Sequence, residues 1–265
     1  MEFQGNQPKS MMTAPVQPTR PQLRAGRAFA LFALFFATQL LTGLIIGFAI
    51  SVFAALRGAN LQAPDVLAQI NQQVTLLATI VGFVLASFIV ISLAIRWFPK
   101  EIQEGIMTGA AWKIGQPRFL ALGFGVGPLI AISYLVLSPL MSTPSDENAL
   151  GPFAKMATTP GLQQIVALFI ALILAPPVEE LLFRGVMFGG ICQSFGPIWA
   201  AILTTVLFVA SHIIEAIHFW PAFLFIALMA LAALWLRIFT KTIGPSIALH
   251  FSYNLFIFST IFFTT

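Results

Sequence analysis

The chain has 265 residues, of which 58% are hydrophobic and only 8% charged, against about 25% charged in an average soluble domain. This excludes an ordinary soluble domain and indicates one polytopic membrane domain, with no length left for a large soluble one. The net charge of +4 is small, and the Lys and Arg residues sit mostly at the ends of apolar runs, so they read as topology signals and not as a nucleic-acid surface. The single cysteine, Cys192, rules out an intrachain disulfide and a cysteine metal cluster; it reads as a small packing residue.

Residues 1–27 are polar, with Pro8, Pro15, Pro18 and Pro21 among Lys9, Arg20, Arg24 and Arg27. Such a composition buries no core, so a disordered cytoplasmic tail is expected, followed by a single transmembrane domain over 28–265. Phe29 to Leu56 carries no charge and is too long for the apolar part of a signal peptide, about 7–15 residues; it is the first predicted span. After a polar loop with Pro64 and Asp65, span two covers about Val74 to Ile95. A connector from Arg96 to Arg118, with Lys100, Glu101, Glu104 and Lys113, leads to span three, about Phe119 to Leu140. Gly123, Gly125 and Gly127 within it lack the strand-turn-helix context of a nucleotide loop, so close packing on a neighbouring helix is expected.

Met141 to Gly161 is a loop rich in proline and polar residues, with Asp146 and Glu147. Span four begins near Leu162 and runs through Pro176-Pro177, where a broken helix is expected. Span five starts after Gly196-Pro197 and is expected to reach beyond His212. Span six covers about Pro221 to Leu236, and span seven follows Gly244-Pro245. The fold class is therefore an all-α polytopic bundle of 7–8 spans. The tail and the loop between spans two and three carry most of the basic residues, which places the N-terminus in the cytoplasm together with Arg184, Arg237 and Lys241.

Beyond residue 147 the acidic residues are Glu179, Glu180 and Glu215, and all three histidines, His212, His218 and His250, lie there too. Ionisable groups at membrane depth are costly and face a protein interior or a water cavity, so the chemistry is expected in spans four to seven. Glu180 and Arg184 are four apart, on one helix face, and are assigned as an ion pair with a supporting role. Glu179 is turned about 100° away, beside Leu182 and Phe183, and suits a general base. Glu179 and His212 lie about 16 residues either side of the turn at Gly196, hence each about 25 Å from it and at one depth. A carboxylate and an imidazole so placed can share a water. His250 and Asn254 are again four apart and can hold a developing oxyanion. Glu215 and His218, beside Phe219 and Trp220, read as interfacial.

Glu179-Glu180-x-x-x-Arg184, Phe208-x-x-x-His212 and His250-x-x-x-Asn254 follow one another on successive apolar segments. In that order they resemble the CAAX protease and bacteriocin-processing family, also called the ABI family, which includes the type II CAAX prenyl endopeptidases. The resemblance covers about residues 160–256. It implies a glutamate-dependent intramembrane endopeptidase acting on membrane-associated or prenylated CAAX-type peptides, in a bacterial plasma membrane or the endoplasmic reticulum. Glu179 and His212 would then activate a water, and His250 and Asn254 would stabilise the oxyanion. Glu180, Arg184 and Phe208 would support the site. No cofactor is expected; in a zinc-dependent variant of the chemistry Glu179, His212 and His250 would be the ligands. The implied partners are a peptide or prenylated protein and the bilayer, without nucleic acid.

Other protease chemistries fit poorly. No His-Glu-x-x-His occurs, the aspartates Asp65 and Asp146 lie in loops, and Ser246 follows Gly244-Pro245 at a helix start, where serine is a common cap. The rival reading from another class is a non-enzymatic scaffold or proton-coupled transporter using the same buried Glu, Arg and His groups. A matching second discontinuous helix, expected of repeat-built transporters, is missing from the sequence.

Overall fold

The structure, a computed structural model, describes residues 23–98, 102, 109–141, 151–217 and 219–260. Most of the predicted tail, Lys100, Glu101 and Glu104 of the connector, Asp146 and Glu147, His218 and the side chain of Glu215 lie outside that description. Among the described residues the fold is all helical. The elements are α1 (Ala25–Leu56), α2 (Pro64–Trp97), α3 (Pro117–Met141) and α4 (Pro152–Thr158). They continue with α5 (Leu162–Phe195), α6 (Pro197–Ser211), α7 (Ile213–Ala216), α8 (Pro221–Thr240) and α9 (Gly244–Ser259).

Each predicted span corresponds to one of these helices. Five of them, α1, α2, α3, α5 and α8, are long and apolar enough to cross a membrane. Helices α6 and α9, with 15 and 16 residues, fall short of the about 20 that a spanning helix needs. Both pack against α5 and carry the candidate site residues. Helix α1 starts at Ala25, inside the stretch expected to be disordered; its first N–H donates to Ser194 Oγ at 3.0 Å, and Leu23 is buried.

Helix α5 is the axis of the fold. It contacts α1 with its C-terminal half, runs antiparallel to α6, and meets α9 along its middle. Helix α8 lies between α3, α6 and α9, while α2 packs chiefly on α1. The expected break at Pro176-Pro177 does not occur. The helix continues through the prolines because the turn before them, Ile170–Leu174, is π-helical. There the Ala175 N–H donates to the Ile170 carbonyl, five residues back. The wider turn relieves the clash that a proline ring makes with the preceding carbonyls of a regular helix. A second π-helical stretch, Leu181–Met187, follows directly, so both irregular turns flank the two glutamates. Such turns recur at functional sites.

The glycines explain the tightest pairing, α3 on α9. A Cβ on Gly123 would collide with the Pro245 carbonyl, and one on Gly127 with the Leu249 carbonyl and Ser252 Oγ. Nothing lies within 4 Å of a Cβ on Gly125, so the packing stripe has spacing four and Gly125 faces away. The connector before α3 seals the start of α9. The Ile243 and Gly244 N–H groups, which a helix start leaves without partners, donate to the Ala111 and Lys113 carbonyls, each at 3.0 Å. Arg237 is fully buried in α8. Its Nη2 donates to the Gly109 carbonyl at 2.6 Å, and its guanidinium lies 5.7 Å from the centre of the Phe188 ring. Arg237 thus ties the same connector to the bundle.

Gly127→Ala should destabilise the protein by about 1–3 kcal/mol, because the Leu249 carbonyl and the Tyr253 nitrogen beside it are backbone atoms that cannot move aside. Gly125→Ala should be neutral or mildly stabilising, since alanine is the better helix former. Thermal unfolding of the two variants in detergent checks the contrast.

Candidate active site

Glu180 is fully buried, and its Oε1 accepts from Arg184 Nη1 at 3.0 Å and from His250 Nδ1 at 3.0 Å. The first contact is the i,i+4 pair read from the sequence. The second joins residues 70 apart and was not legible there. Arg184 also donates from Nη2 to the Ala230 carbonyl of α8 at 3.1 Å and lies 4.2 Å above the Phe208 ring of α6. A desolvated cation on an aromatic face contributes about 2 kcal/mol. One guanidinium therefore touches α5, α6 and α8, and one carboxylate oxygen joins α5 to α9.

Glu179 faces a different direction, as its 100° offset requires. Its Oε2 lies 3.9 Å from His250 Nε2, too far for a direct hydrogen bond, and this oxygen is buried with no hydrogen-bond partner among the described residues. The side chain as a whole keeps 17% of its surface exposed. A buried carboxylate oxygen without a donor is costly in a folded protein; Glu180 Oε2 is a second one, but Glu179, unlike the fully buried Glu180, keeps an open side through which another group can be received. Because a carboxylate only accepts here, the hydrogen on Nδ1 of His250 goes to Glu180, which turns Nε2 toward Glu179.

His212 is not on a helix face as expected. Helix α6 stops at Ser211, and His212 is its capping residue, with φ −100° and ψ 10°. Ser211 Oγ donates to the Phe208 carbonyl at 2.7 Å, and His212 Nδ1 approaches the same carbonyl at 2.8 Å. These side chains satisfy a carbonyl that the helix end leaves open, which is why the helix ends there. A carbonyl only accepts, so Nδ1 carries the hydrogen and Nε2 is the acceptor in the neutral ring. His212 makes no hydrogen bond or ion pair with Glu179 or Glu180. It reaches the site through Phe208, whose ring centre is 4.8 Å from that of His212 and 5.9 Å from that of His250.

Asn254 has a partner fixed by the prolines. In the π register the donor for the Ala171 carbonyl would be the nitrogen of Pro176, which has no hydrogen. Asn254 Nδ2 takes that place, donating to the Ala171 carbonyl at 2.8 Å. Its amide is thereby locked against α5, one turn beyond His250. Ser246 is buried and donates to the Ala233 carbonyl at 2.7 Å; it joins α9 to α8 and is not a cap. Among the described residues no three His, Cys, Asp or Glu side chains form a group suited to a metal ion.

The depths also agree. Glu179 lies about 25 Å from the α5–α6 turn and His250 about 9 Å from the start of α9. Their contact means that the α5–α6 turn extends about 15 Å beyond the α8–α9 turn. Two cavities flank the cluster, and neither is lined by its ionisable groups. One, of about 910 Å³, includes Asn71, Thr75, Lys155, Gln163 and Ile213, next in sequence to His212. The other, of about 650 Å³, includes Lys113, Leu172, Pro177, Ile247 and Phe251.

Residues 161–256 match the family model of type II CAAX prenyl endopeptidase, Rce1-like. The match covers less than half of the chain. It runs from the start of α5 to the last turn of α9 and contains every residue of the polar cluster. No curated protein and no solved structure matches the chain. With its long apolar helices, the chain is an integral membrane protein whose C-terminal part is similar to the CAAX-type proteases.

Arg184→Ala should destabilise the fold by about 3–5 kcal/mol, because it removes the cation paired with the buried Glu180 and leaves only the His250 contact. Arg184→Lys should rescue only partly, since an ammonium cannot reproduce the planar fork that serves Glu180 and the Ala230 carbonyl together. Yield and thermal unfolding in detergent test both.

Proposed function

We propose that this protein is an intramembrane endopeptidase in which Glu179 activates a water against a peptide bond, without a metal ion. The unpartnered, buried Oε2 of Glu179, facing His250 Nε2, is the observation that supports it most. The water lies between Glu179 Oε2 and His212 Nε2, the acceptor that the Phe208 carbonyl leaves on that ring. As the water oxygen attacks the carbonyl carbon, Glu179 takes its proton. The oxyanion forms toward His250 and Asn254. An amide nitrogen carries two hydrogens; the Ala171 carbonyl uses one, and the other is aimed at the oxyanion. His250 donates to the oxyanion from Nε2 while its Nδ1 donates to Glu180. When the intermediate collapses, the C–N bond breaks and the leaving nitrogen takes the proton from Glu179.

Glu180, Arg184 and Phe208 act as positioning groups. The N-terminus faces the cytoplasm on the basic-loop rule, and residues 28–265 act as one domain. The substrate is a membrane-associated peptide, of the prenylated CAAX type if it follows the family's description. The scaffold or transporter reading offers no reason for a buried carboxylate oxygen held without a donor beside two histidines of fixed tautomer.

Glu179→Gln is nearly isosteric and should abolish cleavage of a farnesylated CAAX peptide by the purified protein while leaving thermal stability within about 0.5 kcal/mol. Wild-type turnover should persist in the presence of a chelator; loss of turnover restored by zinc would sink the metal-free mechanism. Asn254→Ala should lower kcat by roughly 10²–10³, and unchanged turnover would remove Asn254 from the reaction.

A further inference from the structure

Helix α6 ends inside the bundle. It has 15 residues, about 22 Å of helix. Its last turn is level with the polar cluster, since the Phe208 ring centre lies 5.0 Å from that of Phe183 and 5.9 Å from that of His250. Its partner α5 runs on from Glu179 to its other end at Leu162, about 25 Å further. No helix of that length fills the space beside this half of α5. It holds the four-residue α7, the short α4 and the cavity of about 910 Å³. Irregular backbone at membrane depth occurs only where protein buries it or where it lines a water-filled cavity. Ile213, Ile214 and Ile217 are exposed and line this cavity, so protein does not bury the stretch that follows His212.

The other walls supply polar groups. Asn71 and Gln72 come from the early turns of α2, and Gln163 from the first turn of α5. These three amide side chains make no hydrogen bond among the described residues. An amide both donates and accepts, which water matches and a hydrocarbon chain does not. Their positions put the mouth at the end of the bundle that carries the α1–α2 loop, opposite the α5–α6 turn. The floor is Ile213, the residue after His212, and His212 itself is half-buried. At about 30 Å³ per molecule the cavity has room for on the order of thirty waters. We propose that this cavity is an aqueous vestibule, open on the membrane face that carries the α1–α2 loop, and that it supplies the water which Glu179 and His212 activate. A peptide lying on the cluster then does not block the water that cuts it. The supply role rests on the endopeptidase reading above; the aqueous character does not.

The test uses the full chain in lipid vesicles with an unequal mix of orientations. A small, permanently charged, membrane-impermeant methanethiosulfonate is added outside. Labelling is read site by site by mass spectrometry, so Cys192 stays in place. Ile213→Cys should react roughly tenfold or more faster than Val206→Cys, because a thiol in an apolar setting stays protonated and unreactive. Val206 is exposed on the apolar face of α6. The fraction of Ile213→Cys that labels should equal that of Leu61→Cys in the α1–α2 loop, and not that of Phe195→Cys at the α5–α6 turn. In detergent, labelling of Ile217→Cys, one turn beyond Ile213, should remove most of the cleavage of a farnesylated CAAX peptide, and dithiothreitol should restore it. Ile213→Cys reacting as slowly as Val206→Cys overturns the vestibule and leaves lipid in the cavity. A labelled fraction that follows Phe195→Cys overturns the route. Full turnover after complete labelling of Ile217→Cys overturns the supply role, with the endopeptidase reading standing. If the unlabelled protein cuts no peptide, that reading fails, and the labelling rates alone judge whether the cavity is aqueous.

Discussion

One carboxylate oxygen, Oε1 of Glu180, decides how the C-terminal helices sit. It accepts from Arg184 on its own helix and from His250 on α9, and Arg184 carries the connection on to α8 and the Phe208 ring. A buried ion pair is a poor source of stability, because desolvation offsets most of the attraction. What it provides here is direction. In a membrane, apolar side chains gain little by leaving lipid for protein, so greasy faces do not by themselves select one helix register. A guanidinium and an imidazole that share one oxygen do select it, since a slip of one residue would leave buried charges without partners.

The same constraint explains why two adjacent glutamates are useful. Neighbouring residues of a helix point about 100° apart. Glu180 holds the packing contacts through Oε1 while Glu179 faces His250, and each glutamate keeps its Oε2 without a hydrogen-bond partner among the described residues. The double proline completes the arrangement from the other side. By removing two N–H groups from α5 it frees carbonyls at Ala171 and Leu172, and the first of these locks Asn254. The irregular turns are therefore not defects in a spanning helix. They are the source of hydrogen-bonding capacity in a place where water supplies none.

Much of this was legible in the residues, for definable reasons. Long apolar runs bounded by polar loops located all seven major helices, because hydrophobic length is a strong signal. The Glu180–Arg184 pair followed from helical spacing alone, and the packing of Phe208 on His212 from spacing together with the family pattern. The contact of His250 with Glu180 did not, because it joins residues 70 apart and periodicity is blind to such pairs. Two further expectations failed on local chemistry. The helix was expected to break at Pro176-Pro177, but a π-helical turn absorbs the prolines. Span five was expected to pass His212, but the Ser211 and His212 side chains bond back to Phe208 and end it. The burial of Arg237 on the Gly109 carbonyl was not legible either, because a tertiary hydrogen bond leaves no trace in a charge count.

The position of His212 at a helix end has a consequence for the chemistry. A histidine in mid-helix takes its ring orientation from packing, and either nitrogen can carry the hydrogen. At a C-terminus the nearest open group is a backbone carbonyl, which can only accept, so the ring is both oriented and fixed in one tautomer. Glu180 does the same for His250 through a carboxylate. The two imidazoles are thus set by acceptors of different charge: a neutral carbonyl for the ring proposed to accept from water, and an anion for the ring proposed to donate to the oxyanion. A neutral carbonyl only orients its ring, whereas a carboxylate oxygen also places a negative charge beside the ring it orients. The division of labour between two identical side chains therefore follows from what each one's Nδ1 touches.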